Sequence, residues 1–214
     1  MLPLYDDNPT RTTPIVVYTL VICNVAIFLY QVFNLSNQVL ASMFFDTWAV
    51  VPKQLFSAPN REYFTLISYQ FLHGGWGHII GNMWYLWIFG NNVEDYLGKF
   101  RFIFFYLACG VVAAVVQSIF SANVNVPLVG ASGSVSGVMG AYITKYPRAI
   151  VFTLIPPIFI VPLPAVILLG FWILGQTVYA FTALHSNVAF IAHVAGFVAG
   201  MVLVRTFSDE GDEA

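Results

Sequence analysis

The sequence predicts an all-α polytopic membrane protein, a six-transmembrane-helix bundle with a long interfacial first loop. Three observations carry this reading. Of 214 residues, 59% are hydrophobic and only 8% are charged, whereas a soluble domain carries roughly a quarter charged side chains. Apolar runs close to the ~20 residues needed to cross a bilayer recur along the chain. Between the first and second runs lies a segment crowded with aromatic rings, which suits headgroup depth. The same arithmetic excludes a cytosolic domain, a disordered chain and a nucleic-acid binder with a basic face.

Taken in order, the first span is Pro14–Phe33. The sequence ahead of it, MLPLYDDNPTRTTP, has two aspartates before Arg11, unlike the basic front of a signal peptide or an Arg-rich transit peptide. Residues 1–13 therefore read as a short cytoplasmic tail. Leu35–Trp76 is the interfacial segment, with Phe44, Phe45, Trp48, Phe56, Tyr63, Phe64, Tyr69, Phe71 and Trp76. Gly77–Leu97 and Arg101–Phe120 are the second and third spans, and Ser132–Tyr146 is a short fourth rich in small residues. Arg148–Leu163 is apolar but broken by Pro156, Pro157 and Pro162, so its non-helical backbone must be buried against protein or line a wet cavity. Pro164–Leu184 and Ser186–Phe207 are the fifth and sixth. Residues 14–207 thus form one six-helix domain, and 208–214 an acidic disordered tail. Cys23 and Cys109 lack metal-site spacing and read as buried small hydrophobes. The chain has no internal repeat, so an inverted-repeat transporter gains no support.

Sidedness follows from the basic residues. With a cytoplasmic N-terminus, the inner segments hold Arg11, Lys99, Arg101, Lys145, Arg148 and Arg205, and the outer ones only Lys53 and Arg61. That distribution favours both termini inside.

Polar groups within the spans are costly and mark function. His78 and Asn82 lie one turn apart near the start of the second span. The fourth opens Gly130-Ala131-Ser132-Gly133-Ser134, and the sixth carries His193 in Ala192-His193-Val194-Ala195-Gly196. The fourth span, roughly 22 Å long at helical rise, is shorter than the ~30 Å hydrocarbon core, so Ser132 starts about 10 Å below the outer surface. His193 lies about as deep, and His78 and Asn82 fall in the same layer. Gly133, Gly137 and Ala141 on the fourth span, and Ala192, Gly196 and Gly200 on the sixth, are spaced for backbone-to-backbone approach. A close pair would put the Ser132 hydroxyl within reach of the His193 imidazole as a base-activated nucleophile. Ser132 also sits at a helix N-terminus, where free N–H groups can support an oxyanion. The carboxylates nearest a span, Glu94 and Asp95, lie at the inner end of the second, where they are expected to fix that helix end. The reading is a Ser–His dyad, with Asn82 and His78 as oxyanion donors.

These residues resemble the rhomboid family of intramembrane serine proteases. The matching elements are Gly130-Ala131-Ser132-Gly133, Ala192-His193 with Gly196 and Gly200, His78 with Asn82, Phe71-Leu72-His73, and Gly90-Asn91-Asn92-Val93-Glu94-Asp95. Phe64-Thr65 stands where many relatives have Trp-Arg, and Ser136 where some have an aromatic ring stacked on the histidine. The resemblance implies a rhomboid-like fold in a prokaryotic inner or plasma membrane, with the site opening to the outer face. It implies cleavage of transmembrane protein substrates through an acyl-enzyme: Ser132 attacks, His193 is base and then acid, and Asn82, His78 and the Ser132 N–H hold the oxyanion. Substrate would enter past the fifth span. Membrane lipid is the surrounding partner; no cofactor, metal or nucleic acid is expected.

Each residue also has a plainer reading. Ser132 could be a helix-packing serine, and His193 an interhelical hydrogen-bond partner. His73 is expected to organise the loop, His185 to be interfacial, and Ser134 and Ser136 to pack. Two other function classes compete with the protease. A catalytically silent rhomboid-like client binder would keep the same fold. A channel would need polar residues down to the inner leaflet, and the Val194–Val204 stretch has none.

Overall fold

A computed structural model describes residues 1–35, 37–121, 123–157, 159–182 and 188–207. His185, the outer end of the fifth span, the start of the sixth at Ser186 and the acidic stretch 208–214 lie outside them. The described chain is mostly helical. Strand β1 (Leu2–Asp6) precedes α1 (Ile15–Asn34). The aromatic-rich segment folds into short helices α2 (Gln38–Trp48), α3 (Pro52–Ser57), α4 (Pro59–Glu62) and α5 (Thr65–Ser68), ending in a 3-10 turn at Tyr69–Phe71. Helices α6 (Trp76–Leu97), α7 (Lys99–Ile119) and α8 (Ser132–Lys145) follow, then strands β2 (Ile150–Ile155) and β3 (Phe159–Pro164). Helices α9 (Ala165–Thr182) and α10 (Phe190–Thr206) complete the chain. By length and apolar composition α1, α7 and α9 can each cross a membrane. Large apolar side chains such as Ile22, Phe33, Phe104, Phe171 and Phe181 point outward, while Asn24, Gln31, Gln70 and Glu94 are buried. This is the reverse of a water-soluble protein. Cys109 is buried as expected, whereas Cys23 faces outward.

Helix α8 is the axis of the molecule. Every residue from Gly133 to Tyr142 is buried, packed against α6, α7 and above all α10. Glycine makes this possible. A Cβ on Gly137 would sit 2.5 Å from Cys109 of α7, and one on Gly133 would sit 2.5 Å from the Cβ of Ala113. On the other face, Gly196 abuts the carbonyl of Gly133, Gly200 that of Gly137, and Gly140 that of Phe197. The small-residue seam read from the sequence therefore exists, and it runs backbone against backbone.

The all-α expectation needs correction: the chain contains a three-stranded antiparallel sheet in the order β1-β2-β3. Leu2 pairs with Leu154 and Asp6 with Val151, while Ile150–Ile155 pairs residue by residue with Pro164–Phe159. The proline-broken stretch is therefore a hairpin, and residues 2–6 of the supposed tail are its third strand. The IVFTLI run is rich in β-branched and aromatic residues, and the turn at Pro156-Pro157 ends it. Tyr5 stacks on Phe152 at 4.6 Å. Asp7 closes the pairing by donating its N–H to the Ile150 carbonyl and accepting the Ile150 N–H, at 3.0 and 2.9 Å.

Strand β1 and the segment joining it to α1 are both pinned to α6. The Trp84 indole donates to the Pro3 carbonyl at 2.6 Å and the Asn92 amide to the Asn8 carbonyl at 2.9 Å. Helix α1 has no side-chain cap of its own at Pro14. Its orphan N–H groups at Val16 and Val17 donate instead to the buried Glu94 carboxylate, at 3.0 and 2.8 Å. Asp95 accepts the N–H groups of Arg11 and Thr12 and the Thr12 hydroxyl. The two carboxylates thus hold the entry to α1 rather than the end of their own helix. Glu94→Ala leaves two buried donors unmet and is expected to cost about 3 kcal/mol. Thermal unfolding in detergent would read this as a clear drop in midpoint, and an unchanged midpoint would contradict the capping role.

Asp6 is buried beside Tyr142, whose hydroxyl donates to its carboxylate. Burial pushes the Asp6 carboxyl up to about 6 from 3.8, despite that hydrogen bond. Between those values the folded protein binds more protons than the unfolded chain, so Asp6 makes stability rise as pH falls through that window. Lowering the pH from 7 to 5 is expected to raise the unfolding midpoint of the wild type relative to Asp6→Asn. Parallel profiles for the two proteins would refute the assignment.

Candidate active site

A cavity of about 700 Å³ opens where α6, α8, α9 and α10 meet, lined by His78, Asn82, Ser132, Ser136, Trp172, Gln176 and His193 among others. The four residues singled out from the sequence therefore face one space. Ser132 is the first residue of α8, behind Ala131 in the cap position. The first bond into this helix from the preceding loop runs from the Val135 N–H to the Ala131 carbonyl at 2.9 Å, so the N–H groups ahead of it are helix-terminal donors. The Ser132 side chain is half-buried.

Gly130 shapes this corner. Its φ of +123° lies where side chains are rarely tolerated, and a Cβ there would be 2.6 Å from His78 Nε2 and 3.7 Å from Ser132 Oγ. His78 and the serine hydroxyl therefore flank the space of one absent methyl group. The Gly74 N–H makes a long contact of 3.5 Å to His78 Nδ1. With Nδ1 accepting, a neutral His78 carries its proton on Nε2, the atom turned to the cavity corner.

Asn82 is buried on the same face of α6, its Nδ2 3.1 Å from His73 Nε2. The second N–H of that amide has no partner among the described residues. His73 is clamped in turn by Gln31, which accepts its N–H and donates to its carbonyl, both at 3.1 Å. The loop-organising role expected of His73 thus extends to holding Asn82. Tyr69 and Gln70 fasten the same loop to α7 and α8. The Tyr69 hydroxyl donates to the Gly110 carbonyl at 2.6 Å, and Gln70 accepts from Ser134 at 2.9 Å. Ser134 is therefore turned away from the cavity, while Ser136 donates to the Ser132 carbonyl at 2.6 Å.

His193 lies in the first turn of α10, where Gln117 of α7 accepts the Ala192 N–H at 3.0 Å. Its ring is flanked by Trp172 at 6.0 Å and 32° and by Phe190 at 6.3 Å and 89°. Its Nδ1 lies 2.6 Å from Gln176 Oε1. Sequence reasoning missed Gln176. The available signal was a long amide side chain inside the otherwise apolar fifth span, which is as costly there as His193 is in the sixth. Together the groups offer a hydroxyl, an imidazole and several N–H donors around one half-enclosed space. This is the equipment of acyl transfer. Among the described residues no cluster of His, Cys, Asp and Glu could hold a metal ion.

The family profile described as Rhomboid domain matches residues 60–210. The chain is 29% identical to RHOMBOID-like protein 12, mitochondrial, of Arabidopsis thaliana, over 85% of this chain and 55% of that protein. It is 34% identical to Rhomboid-related protein 2 of Mus musculus, over 69% of this chain and 49% of that one. It is 27% identical to "Putative rhomboid protease YdcA" of Bacillus subtilis (strain 168), over 67% of each. The chain thus spans about half the length of the first two relatives. With relatives named mitochondrial beside a bacterial one, the expected prokaryotic plasma membrane is not supported over an organellar one. The apolar outward faces, the membrane-length helices and the profile over residues 60–210 agree, and the chain belongs to the rhomboid family.

Proposed function

We propose that the protein is an intramembrane serine endopeptidase that cleaves transmembrane-helix substrates near the outer leaflet. The observation that carries this is Ser132 and His193 lining one cavity, on two helices packed backbone to backbone, with Asn82 and His78 beside them. In this reading α1, α6, α7, α8, α9 and α10 are the six spans of one domain, both termini are cytoplasmic, and the sheet lies on the inner side. Ser132 Oγ attacks the scissile carbonyl while His193 Nε2 takes its proton. His78 Nε2–H, the free N–H of Asn82 and the Ser132 backbone N–H hold the oxyanion. The imidazolium then protonates the leaving amine, and water activated by the same histidine releases the acyl group. No metal or cofactor enters these steps.

The test is a fluorophosphonate probe on the folded protein in liposomes, followed by mass spectrometry and a transmembrane-peptide cleavage assay. Labelling at Ser132 together with cleavage is the expected result. A folded protein that binds the peptide but neither labels nor cuts is instead a catalytically silent client binder.

A further inference from the structure

We propose that Gln176 is the positioning residue of the histidine base, so that the serine–histidine pair is completed by a neutral amide from α9. This rests on the protease reading above and adds a member that no carboxylate lining the cavity among the described residues supplies. The contact is short: 2.6 Å from His193 Nδ1 to Gln176 Oε1. An amide oxygen only accepts, so Nδ1 carries the proton and Nε2 keeps its lone pair. That is the tautomer a serine proton requires. The opposite amide orientation would donate to Nδ1, leave the proton on Nε2 and silence the base.

The same helix fixes the plane of the ring. Trp172 lies one turn before Gln176 on α9 and stacks obliquely on His193 at 6.0 Å. On α8, Ser136 reaches the Ser132 carbonyl instead, so α9 provides both the stack and the hydrogen bond.

Beyond the buried Ala165, Leu168 and Leu169 at its start, α9 leans on α10 through Trp172, Gln176 and the Tyr179–Phe190 stack at 5.3 Å.

In the reaction, the Ser132 O–H bond breaks as Oγ bonds to the carbonyl carbon, and the carbonyl electron pair moves to its oxygen. The serine proton goes to Nε2, so the imidazolium holds protons on both nitrogens. The Nδ1–H bond to Gln176 becomes charge-assisted at that moment. The C–N bond then breaks as the Nε2 proton passes to the leaving amine, and a water that gives its proton to Nε2 hydrolyses the acyl-enzyme and returns the hydroxyl to Ser132.

The experiment combines kinetics in liposomes with nitrogen NMR of protein labelled at its four histidines. Gln176→Leu is expected to lower kcat about a hundredfold, with KM nearly unchanged and the His193 Nδ1–H tautomer signal lost. Gln176→Glu is expected to restore turnover and move the acid limb of the rate profile to higher pH, because a carboxylate raises the basicity of the ring. A Gln176→Leu protein that cleaves normally and keeps the tautomer overturns the pairing and leaves the protease reading standing. A wild type that never cuts, yet shows a fixed tautomer that Gln176→Leu scrambles, overturns the protease reading and keeps the pairing. If Gln176→Leu does not fold, the Gln176→Glu profile decides alone, and a profile identical to wild type overturns the proposal.

Discussion

Ser132→Ala and His193→Ala are each expected to reduce cleavage of a transmembrane substrate by at least about a thousandfold while leaving the helices assembled. The two losses should not add in the double variant, because nucleophile and base act as one unit. Folding should survive for separate reasons at each position. Ser132 is half-buried at a helix start, and the α8–α10 seam is made by glycines rather than by its hydroxyl. His193 loses one hydrogen bond to Gln176, and the Gln117 cap on Ala192 remains. Asn82→Ala should fall between wild type and these variants, at about a hundredfold in kcat, since one of several oxyanion donors is lost. Circular dichroism and gel filtration verify the fold, and a fluorophosphonate label reads the nucleophile directly. Cleavage by Ser132→Ala at the wild-type rate would falsify the assignment.

The helices and the polar residues that line the cavity were legible because each leaves a one-dimensional signature. Apolar runs mark helices, glycine at every fourth position marks close approach, and a polar atom inside an apolar run marks cost without a structural reward. The helix bounds 15–34, 76–97, 99–119 and 132–145 fall within two residues of the runs read from the sequence. What could not be read was pairing between distant segments. Strand β1 finds β2 only after α1 to α8 have intervened, and the IVFTLI stretch reads as proline-broken non-helical backbone until its partner is known. The roles of Glu94 and Asp95 were misplaced for the same reason: the groups they satisfy belong to residues 11–17. Gln176 carries no spacing or motif that marks it, although its amide oxygen, facing Nδ1, fixes the His193 tautomer.

Gly196→Ala is expected to damage both stability and activity, by a route different from loss of the nucleophile. An added Cβ would run into the carbonyl of Gly133, a backbone group that no rotamer change can move aside. Helices α8 and α10 must then separate along the seam that holds Ser132 and His193 at their mutual distance. The cost should reach about 3 kcal/mol. Among molecules still folded, a displacement of about 1 Å at the dyad is worth roughly a further hundredfold in rate. Gly170→Ala is the matched control, since a Cβ at Gly170 meets nothing within 4 Å. Replacing a mid-helix glycine with alanine there should stabilise α9 by a few tenths of a kcal/mol to about 1 kcal/mol. Thermal midpoints and cleavage rates measured on the two variants separate crowding of the seam from a general intolerance of alanine. If both variants unfolded alike, the collision with Gly133 could not be the cause. If Gly196→Ala folded and cut normally, the serine and histidine would not depend on this contact for their alignment.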